Sequence, residues 1–385
     1  MKNSRVIVWT CGAATILLAA LCLFFCMNRK QENDRMNLNL VVGTYGSHLY
    51  RYTFNNETLE FSLCAKVAAV DPSYAIALQT EGGNQIFAVR ETLDDAGACS
   101  FLENGQPDIP ATAERLQTGA HPCFIMKYDN GSSFILTADY SGGSVSVFPV
   151  ADGVIRNRCQ QLVFEGCGPV TDRQASSHVH QVRTLPGNKE YVLASDLGAD
   201  MIHVLKFTGN KEPFIHTNDI KCPCGSGPRH MEFSKDGNIL YCITELSGEI
   251  LVYDITNEDG APSFTLKQQV LADEIRAGGS ADIHIHPSGK WLYTSHRLDN
   301  DGISIFTTGS DGALVKTGYA HTARHPRNFL ITPDGKFLLA ACMNDGLIQT
   351  FRIGEDGSLT LTPSVLRFDA DKPSSITLIR HKFWQ

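Results

Sequence analysis

The sequence predicts an all-β fold, a seven-bladed β-propeller whose N- and C-terminal strands share the closing blade. Two observations predict it. A unit of strand, tight turn and second strand recurs along most of the chain. Its starts, at Pro72, Pro122, His178, Pro228, Ala281, Pro326 and Pro373, lie about 50 residues apart, the period of a propeller blade. A four-stranded blade cannot bury its own faces, but a ring of blades can. A large β-sandwich is the alternative, and it would have to reach this spacing by accident.

The unit is plainest between Gly227 and Tyr253. A first strand starts at Arg229 and stops at the turn Lys235-Asp236-Gly237. The second, Asn238 to Ile243, is apolar and aromatic, as a buried strand should be. The third, Glu249 to Tyr253, follows a tight turn at Ser247-Gly248. An Asp-Gly between two such runs is a strong hairpin signal. Arg229 opens the first strand and Glu245 follows the second, so both lie at one end of the hairpin. The same turn chemistry appears at Gly82-Gly83-Asn84, Asp129-Asn130-Gly131, Pro186-Gly187-Asn188, Pro287-Ser288-Gly289 and Pro333-Asp334-Gly335. The unit at Pro373 has only its first strand. The run Leu38 to Phe54 supplies two strands without a first, so the two ends are expected to close the ring together.

Residues 6–27 carry no charge and are long enough, at about 20 residues, to span a bilayer. Residues 1–35 are therefore an anchor or signal segment with a short tether, and 36–385 the propeller domain. The exit Leu-Phe-Phe-Cys-Met suits cleavage poorly, so an uncleaved anchor is preferred to a cleaved, exported form. A start at Met36 would leave a cytoplasmic protein. Of twelve cysteines, three lie in the apolar segment. The other nine are odd in number, scattered, and often inside apolar strands, which is no disulfide framework and fits a reducing compartment. Cys222-Pro-Cys224 is one residue short of a zinc-type pair and has no second pair. Glu91 to Gln117 leaves the strand pattern and reads as a loop-rich insert. Gly166 to Ser177 reads as a loop, and Ala272 to Gly279 as one helical turn. Net charge is -8 with no basic run in the domain, which excludes nucleic acid as an expected partner. A monomer is expected.

In a propeller the first strands line a central channel and their lead-in loops gather at one mouth. Polar residues at strand starts and second-strand ends are His178, His180, Arg229, His230, Glu245, Asp282, His284, Arg297, Arg327 and Asn344. Two arginines can hold a carboxylate or phosphate. A histidine near a carboxylate can move a proton at neutral pH. Together they suit attack of water on an ester or lactone carbonyl. Plainer roles compete. His284 fits a hydrogen bond to a neighbouring blade, Arg327 a pair with Asp334 or Asp345, and Asp282 and Asp139 turn caps. A scaffold propeller is the rival class, but the Trp-Asp dipeptide of common scaffold repeats is absent. No cofactor or metal is expected, because the mouth has few carboxylates for calcium, and histidine with arginine is a poor metal set.

Several strings carry a resemblance: Val41-Val-Gly-Thr-Tyr45, Ala138-Asp-Tyr-Ser-Gly-Gly-Ser-Val-Ser-Val-Phe-Pro149, His178-Val-His180, Ser195-Asp-Leu-Gly-Ala-Asp200, Gly227-Pro-Arg-His230, Thr244-Glu-Leu246 and Ser295-His-Arg297. In this order, from about Leu40 to Arg380, they resemble the seven-bladed propeller lactonases, which include bacterial 6-phosphogluconolactonase and fungal carboxy-cis,cis-muconate cyclase. The resemblance implies hydrolysis of a sugar lactone, 6-phosphogluconolactone first. It implies catalytic roles for His180, Glu245, Arg229 and Arg297. His180 would be the general base, Glu245 would orient water or protonate the ring oxygen, and the arginines would hold the anion and oxyanion. His178, His230, Asp282 and Arg327 are added as substrate-side residues. Phe124 stands where the family often has histidine, and Asp139, Thr244 and His296 where it has asparagine; these changes are expected at the pocket rim. A related enzyme on another carboxylated lactone, or a non-catalytic binding propeller on a membrane anchor, are the alternatives.

Overall fold

Seven antiparallel sheets stand around one axis in the computed structural model, which describes residues 37–80, 83–103, 116–258 and 260–379. The apolar run 6–27 lies outside the described residues, so its reading as an anchor is neither met nor contradicted. Among the described residues no helix is long and apolar enough to cross a membrane.

Blades are numbered here from the first complete unit. Blade 1 begins with Ala75–Thr80, blade 2 with Pro122–Asp129, blade 3 with Val179–Thr184 and blade 4 with Pro228–Phe233. Blade 5 begins with Ser280–Ile285 and blade 6 with Pro326–Ile331. Blade 7 is composite: its first strand is Lys372–Leu378, and the other three are Asn37–Tyr45, His48–Asn55 and Phe61–Ala68. The antiparallel register from Leu40↔Leu378 to Tyr45↔Lys372 closes the ring with both chain ends, as the sequence implied.

The second strands explain themselves chemically. Every residue of Ile239–Thr244 is buried. Leu240 and Cys242 pack into a cluster with blade 3, while Ile239, Tyr241 and Ile243 pack into one with blade 5. Period-two side chains with both faces covered give a continuous apolar run. The hydrophobic core is thus seven inter-blade clusters rather than one centre.

Two expectations are corrected. Glu91 to Gln117 is not all insert: Gly97–Glu103 is the third strand of blade 1, in register from Arg90↔Gly97 to Asn84↔Glu103, and Leu116–Gln117 is its edge. Its Gly-Ala-Cys-Ser start hid the strand because small residues give weak strand signal. Ala272 to Gly279 holds a turn, with Arg276 at φ +49°, and no helix. A helix does occur at Thr171–Gln174, a single turn inside the 166–177 loop.

Candidate active site

The channel chemistry starts from a backbone irregularity that the blades repeat. In blade 4 the register jumps from Pro228↔Thr244 to His230↔Ile243, leaving Arg229 as a bulge. The same slip isolates Cys123, His180, Arg327 and Ser374 in blades 2, 3, 6 and 7. In blade 5 it spans Ala281 and Asp282. A bulge re-aims the extra side chain, here inward. Proline directly before the bulge residue in four of these strands favours the slip, since it has no N–H for the ladder. Ser73, Cys123, His180, Arg229, Arg327 and Ser374 all line one small cavity, together with Tyr74, His230 and Asn328. Its volume is about 10 Å³, room for about one water.

A cation cluster lies at the mouth of this cavity. Glu245 Oε2 accepts from Arg229 Nε at 2.7 Å and pairs with Arg297 Nη2 at 3.1 Å, while Oε1 accepts from Arg173 Nη2 at 2.6 Å. Burial pushes the Glu245 carboxyl up, but Arg297, Arg229 and Arg173 together pull it down to about 2. Glu245 is therefore ionised at neutral pH and has no proton for a ring oxygen, which corrects that part of the expected mechanism. Arg327 does not pair with Asp334 or Asp345. It lies 5.2 Å over the Tyr45 ring and 4.0 Å from Glu91, which also accepts from the Tyr45 hydroxyl at 2.8 Å. Asp345 is taken by Arg324, and Asp334 by Thr332. Four arginines thus meet two carboxylates, a local excess of positive charge on an acidic chain.

The histidines fall at two depths. His178 is at the rim, its ring stacked on Tyr140 at 4.5 Å and its Nδ1 donating to the Tyr140 carbonyl at 3.0 Å. His180 and His230 lie in the cavity, ring centroids 5.1 Å apart. His180 Nδ1 and His230 Nε2 are buried and meet no polar partner. Burial and the neighbouring Arg229 hold both rings neutral; His180 is pushed well below its usual range and His230 down to about 4. The difference lies behind the rings. His230 Nδ1 donates to Asp282 Oδ1 at 2.7 Å, which leaves Nε2 as a lone pair aimed into the cavity. His180 has no such carboxylate.

Asp282 itself does not line the cavity, contrary to its expected substrate contact. It is 1% exposed, and its second oxygen serves His284 at 3.1 Å and Asn328. It positions His230 rather than capping a turn. His284 also reaches Glu232 of blade 4 at 3.3 Å, the neighbour-blade role expected of it.

Asp139, Thr244 and His296 are fully buried and bond within their own blades, so they brace loops instead of forming the rim. Phe124 does touch the site, edge-on to His230 at 5.7 Å. The Cys123 thiol is pushed well up by burial and stays protonated, which removes it as a nucleophile.

Sequence reasoning missed Glu91, Tyr45, Tyr140, Arg173 and His325, whose Nε2 accepts from Arg297 Nη1 at 3.4 Å. Two of them had a signal. In four blades the residue after the second strand donates its N–H back to the lead-in of the first strand: Glu245 to Gly227, Arg297 to Gly279, Tyr140 to His121 and Glu91 to Asp71. Superposing the repeats on Glu245 would have found Glu91 and Tyr140. Arg173 had none, since its loop belongs to no repeat.

Comparison with known proteins agrees with this architecture. A family described as "Lactonase, 7-bladed beta-propeller" matches residues 39–378. A 6-phosphogluconolactonase of Formosa agariphila is 32% identical over 331 residues, covering 83% of this chain and 93% of that one. A crystal structure from Bacteroides fragilis, described as a candidate 6-phosphogluconolactonase, is 37% identical with a TM-score of 0.80, covering 90% of this chain and 98% of that one. A periplasmic gluconolactonase of Pseudomonas aeruginosa is 26% identical with a TM-score of 0.79, covering 89% and 99%. With the match running through all seven blades, this chain belongs to the seven-bladed β-propeller lactonase family.

Proposed function

We propose that this chain hydrolyses a sugar lactone, 6-phosphogluconolactone first, with His230 as the residue that takes the proton from water. The observation that carries this reading is the His230 ring: one nitrogen bound to Asp282, the other a buried lone pair facing a cavity of one-water size. A base held by a carboxylate is the arrangement proton abstraction needs, because Asp282 stabilises the imidazolium that forms. His180 would gain its proton beside Arg229 with no carboxylate behind it, so it serves better to orient the water.

The cavity is too small for a sugar ring, so the lactone sits above it at the arginine-rich mouth. Water held between His180 and His230 attacks the carbonyl carbon, and its proton passes to His230 Nε2. Arg229 and Arg327 face the developing oxyanion. Glu245, fixed as an anion, holds Arg229 and Arg297 in place. Collapse of the tetrahedral intermediate breaks the ring C–O bond, and the imidazolium of His230 returns a proton to the leaving oxygen. Arg173, with 38% of its side chain exposed at the rim, suits the phosphate.

The test is hydrolysis of freshly made 6-phosphogluconolactone by the purified chain, measured above spontaneous ring opening, with His230→Asn and His180→Ala beside it. Loss of acceleration in His230→Asn with a native fold supports the reading. Full activity in that variant sinks it.

A second reading has support of its own: an anchored or exported enzyme on unphosphorylated gluconolactone. The apolar run 6–27 and the likeness to a periplasmic gluconolactonase favour it. Higher kcat/KM on the unphosphorylated lactone would select it.

A further inference from the structure

The outer edge of blade 3 carries a second cluster, which the proposed reaction does not use. His203, on the strand Met201–Phe207, faces Asp219 on the edge strand Phe214–Lys221, which also carries His216. His203 Nδ1 lies 2.6 Å from Asp219 Oδ1, and His216 Nε2 lies 2.7 Å from the same oxygen. All three ligand atoms fall within 4.8 Å of one another, the one such group among the described residues. We propose that His203, His216 and Asp219 bind a divalent transition metal of the zinc class, with the fourth position open to solvent.

The chemistry behind His203 supports this. Its Nε2 donates to Asp196 Oδ2 at 3.1 Å, and Asp196 is fixed by Ser177, by the backbone N–H of His178 and by those of Gly198 and Ala199. With the proton on Nε2, Nδ1 carries a lone pair aimed at a carboxylate oxygen. Two acceptors at that distance repel unless a proton or a cation lies between them. A carboxylate behind a ligating imidazole is the usual support of a metal-bound histidine. Phe164 stacks on the His203 ring at 3.9 Å and fixes its plane. Two imidazoles, one carboxylate and an open position suit zinc. Zinc bonds of about 2.0–2.2 Å set neighbouring ligand atoms a little over 3 Å apart. The carboxylate would step back by about half an ångström, and Asp219 and His216 are exposed enough to allow it.

Blade 2 shows that the cluster exceeds what the fold needs. There Asp139 holds the place of Asp196, and Ser146 the place of His203, with a 2.7 Å bond between them. A serine is sufficient for the brace. Blade 3 uses a longer side chain whose far nitrogen reaches two additional ligands. An ion there would tie the edge strand, through Asp196, to the loop behind His178.

The test is titration of the chelator-treated full chain with Zn²⁺ and Co²⁺. The site predicts one equivalent bound, a four-coordinate Co²⁺ spectrum without thiolate bands, and a Zn²⁺-dependent rise in melting temperature. His216→Ala and Asp219→Asn should each weaken binding at least tenfold and abolish that rise, while lactone hydrolysis is unchanged. No Co²⁺ uptake by the parent chain overturns the proposal. So does uptake that the variants do not alter, or a thiolate band, which would point to the Cys222-Pro-Cys224 loop.

Discussion

Two halves of one ring occupy the same backbone positions and do different work. The bulge residues of blades 3, 4 and 6 are His180, Arg229 and Arg327; those of blades 2 and 7 are Cys123 and Ser374, with Ser73 in the corresponding place of blade 1. The backbone aims all six inward. Three of them bring charge or a ring nitrogen, and three bring a small, neutral group. A near-symmetric scaffold therefore supplies the directions, and side-chain identity alone turns one half of the channel into a site. The small residues of the other half leave the room that a water needs.

The largest test of that contrast sets Arg229→Met against Ser374→Ala. Arg229→Met should lower kcat/KM by about 10²–10³-fold or more, the usual cost of losing an oxyanion donor. Ser374→Ala should stay within about twofold. Near-UV circular dichroism would show that both are folded, and equal losses would break the comparison.

Next is the pair within the active half. His230→Asn should cost about 10²–10⁴-fold. Asp282→Asn should cost less and move the pH profile. In the parent, kcat/KM should fall as pH drops through about 4, where His230 protonates. Asp282 raises that value, so its loss should shift the acid limb to lower pH. A limb that stays in place would detach Asp282 from His230.

Stability should follow the same side of the ring. Glu245 has its folded value depressed to about 2 from an ordinary 4.5, so its contribution is full above pH 4.5 and lost as pH falls towards 2. His230, held neutral, adds a loss between its ordinary 6.5 and about 4, because the unfolded chain binds the proton first. Glu245→Gln leaves Arg229 and Arg297 without their shared carboxylate and should cost about 3–5 kcal/mol, read by urea unfolding at pH 7. It should also flatten the acid limb of stability below pH 4.5.

The smallest effect is expected on the quiet side. Cys123→Ser should change kcat/KM by less than about threefold, and thiol reagents should leave the folded enzyme active. Inactivation through Cys123 would show that the two halves are less distinct than their chemistry implies.

Much of this was legible in advance for one reason. Second strands such as Ile239–Thr244 are buried on both faces, so their composition is forced and their period visible. Arg229, Glu245, His180 and Arg297 were legible because strand starts and ends converge in any propeller. The depth of each side chain was not. Phe124 and Asp282 follow strand starts by the same count, yet one meets the His230 ring edge-on and the other stands behind it, bonded to Nδ1.

The sequence by itself determined the ring: the repeat, the turn glycines and the two-faced apolar strands admit few other ways to bury the chain. It also determined which residue types stand at the mouth. Only the tertiary structure decided their roles. Whether Glu245 donates a proton or balances three arginines depends on distances between blades that lie far apart in sequence. Whether a histidine can accept a proton depends on the carboxylate that another blade places behind it.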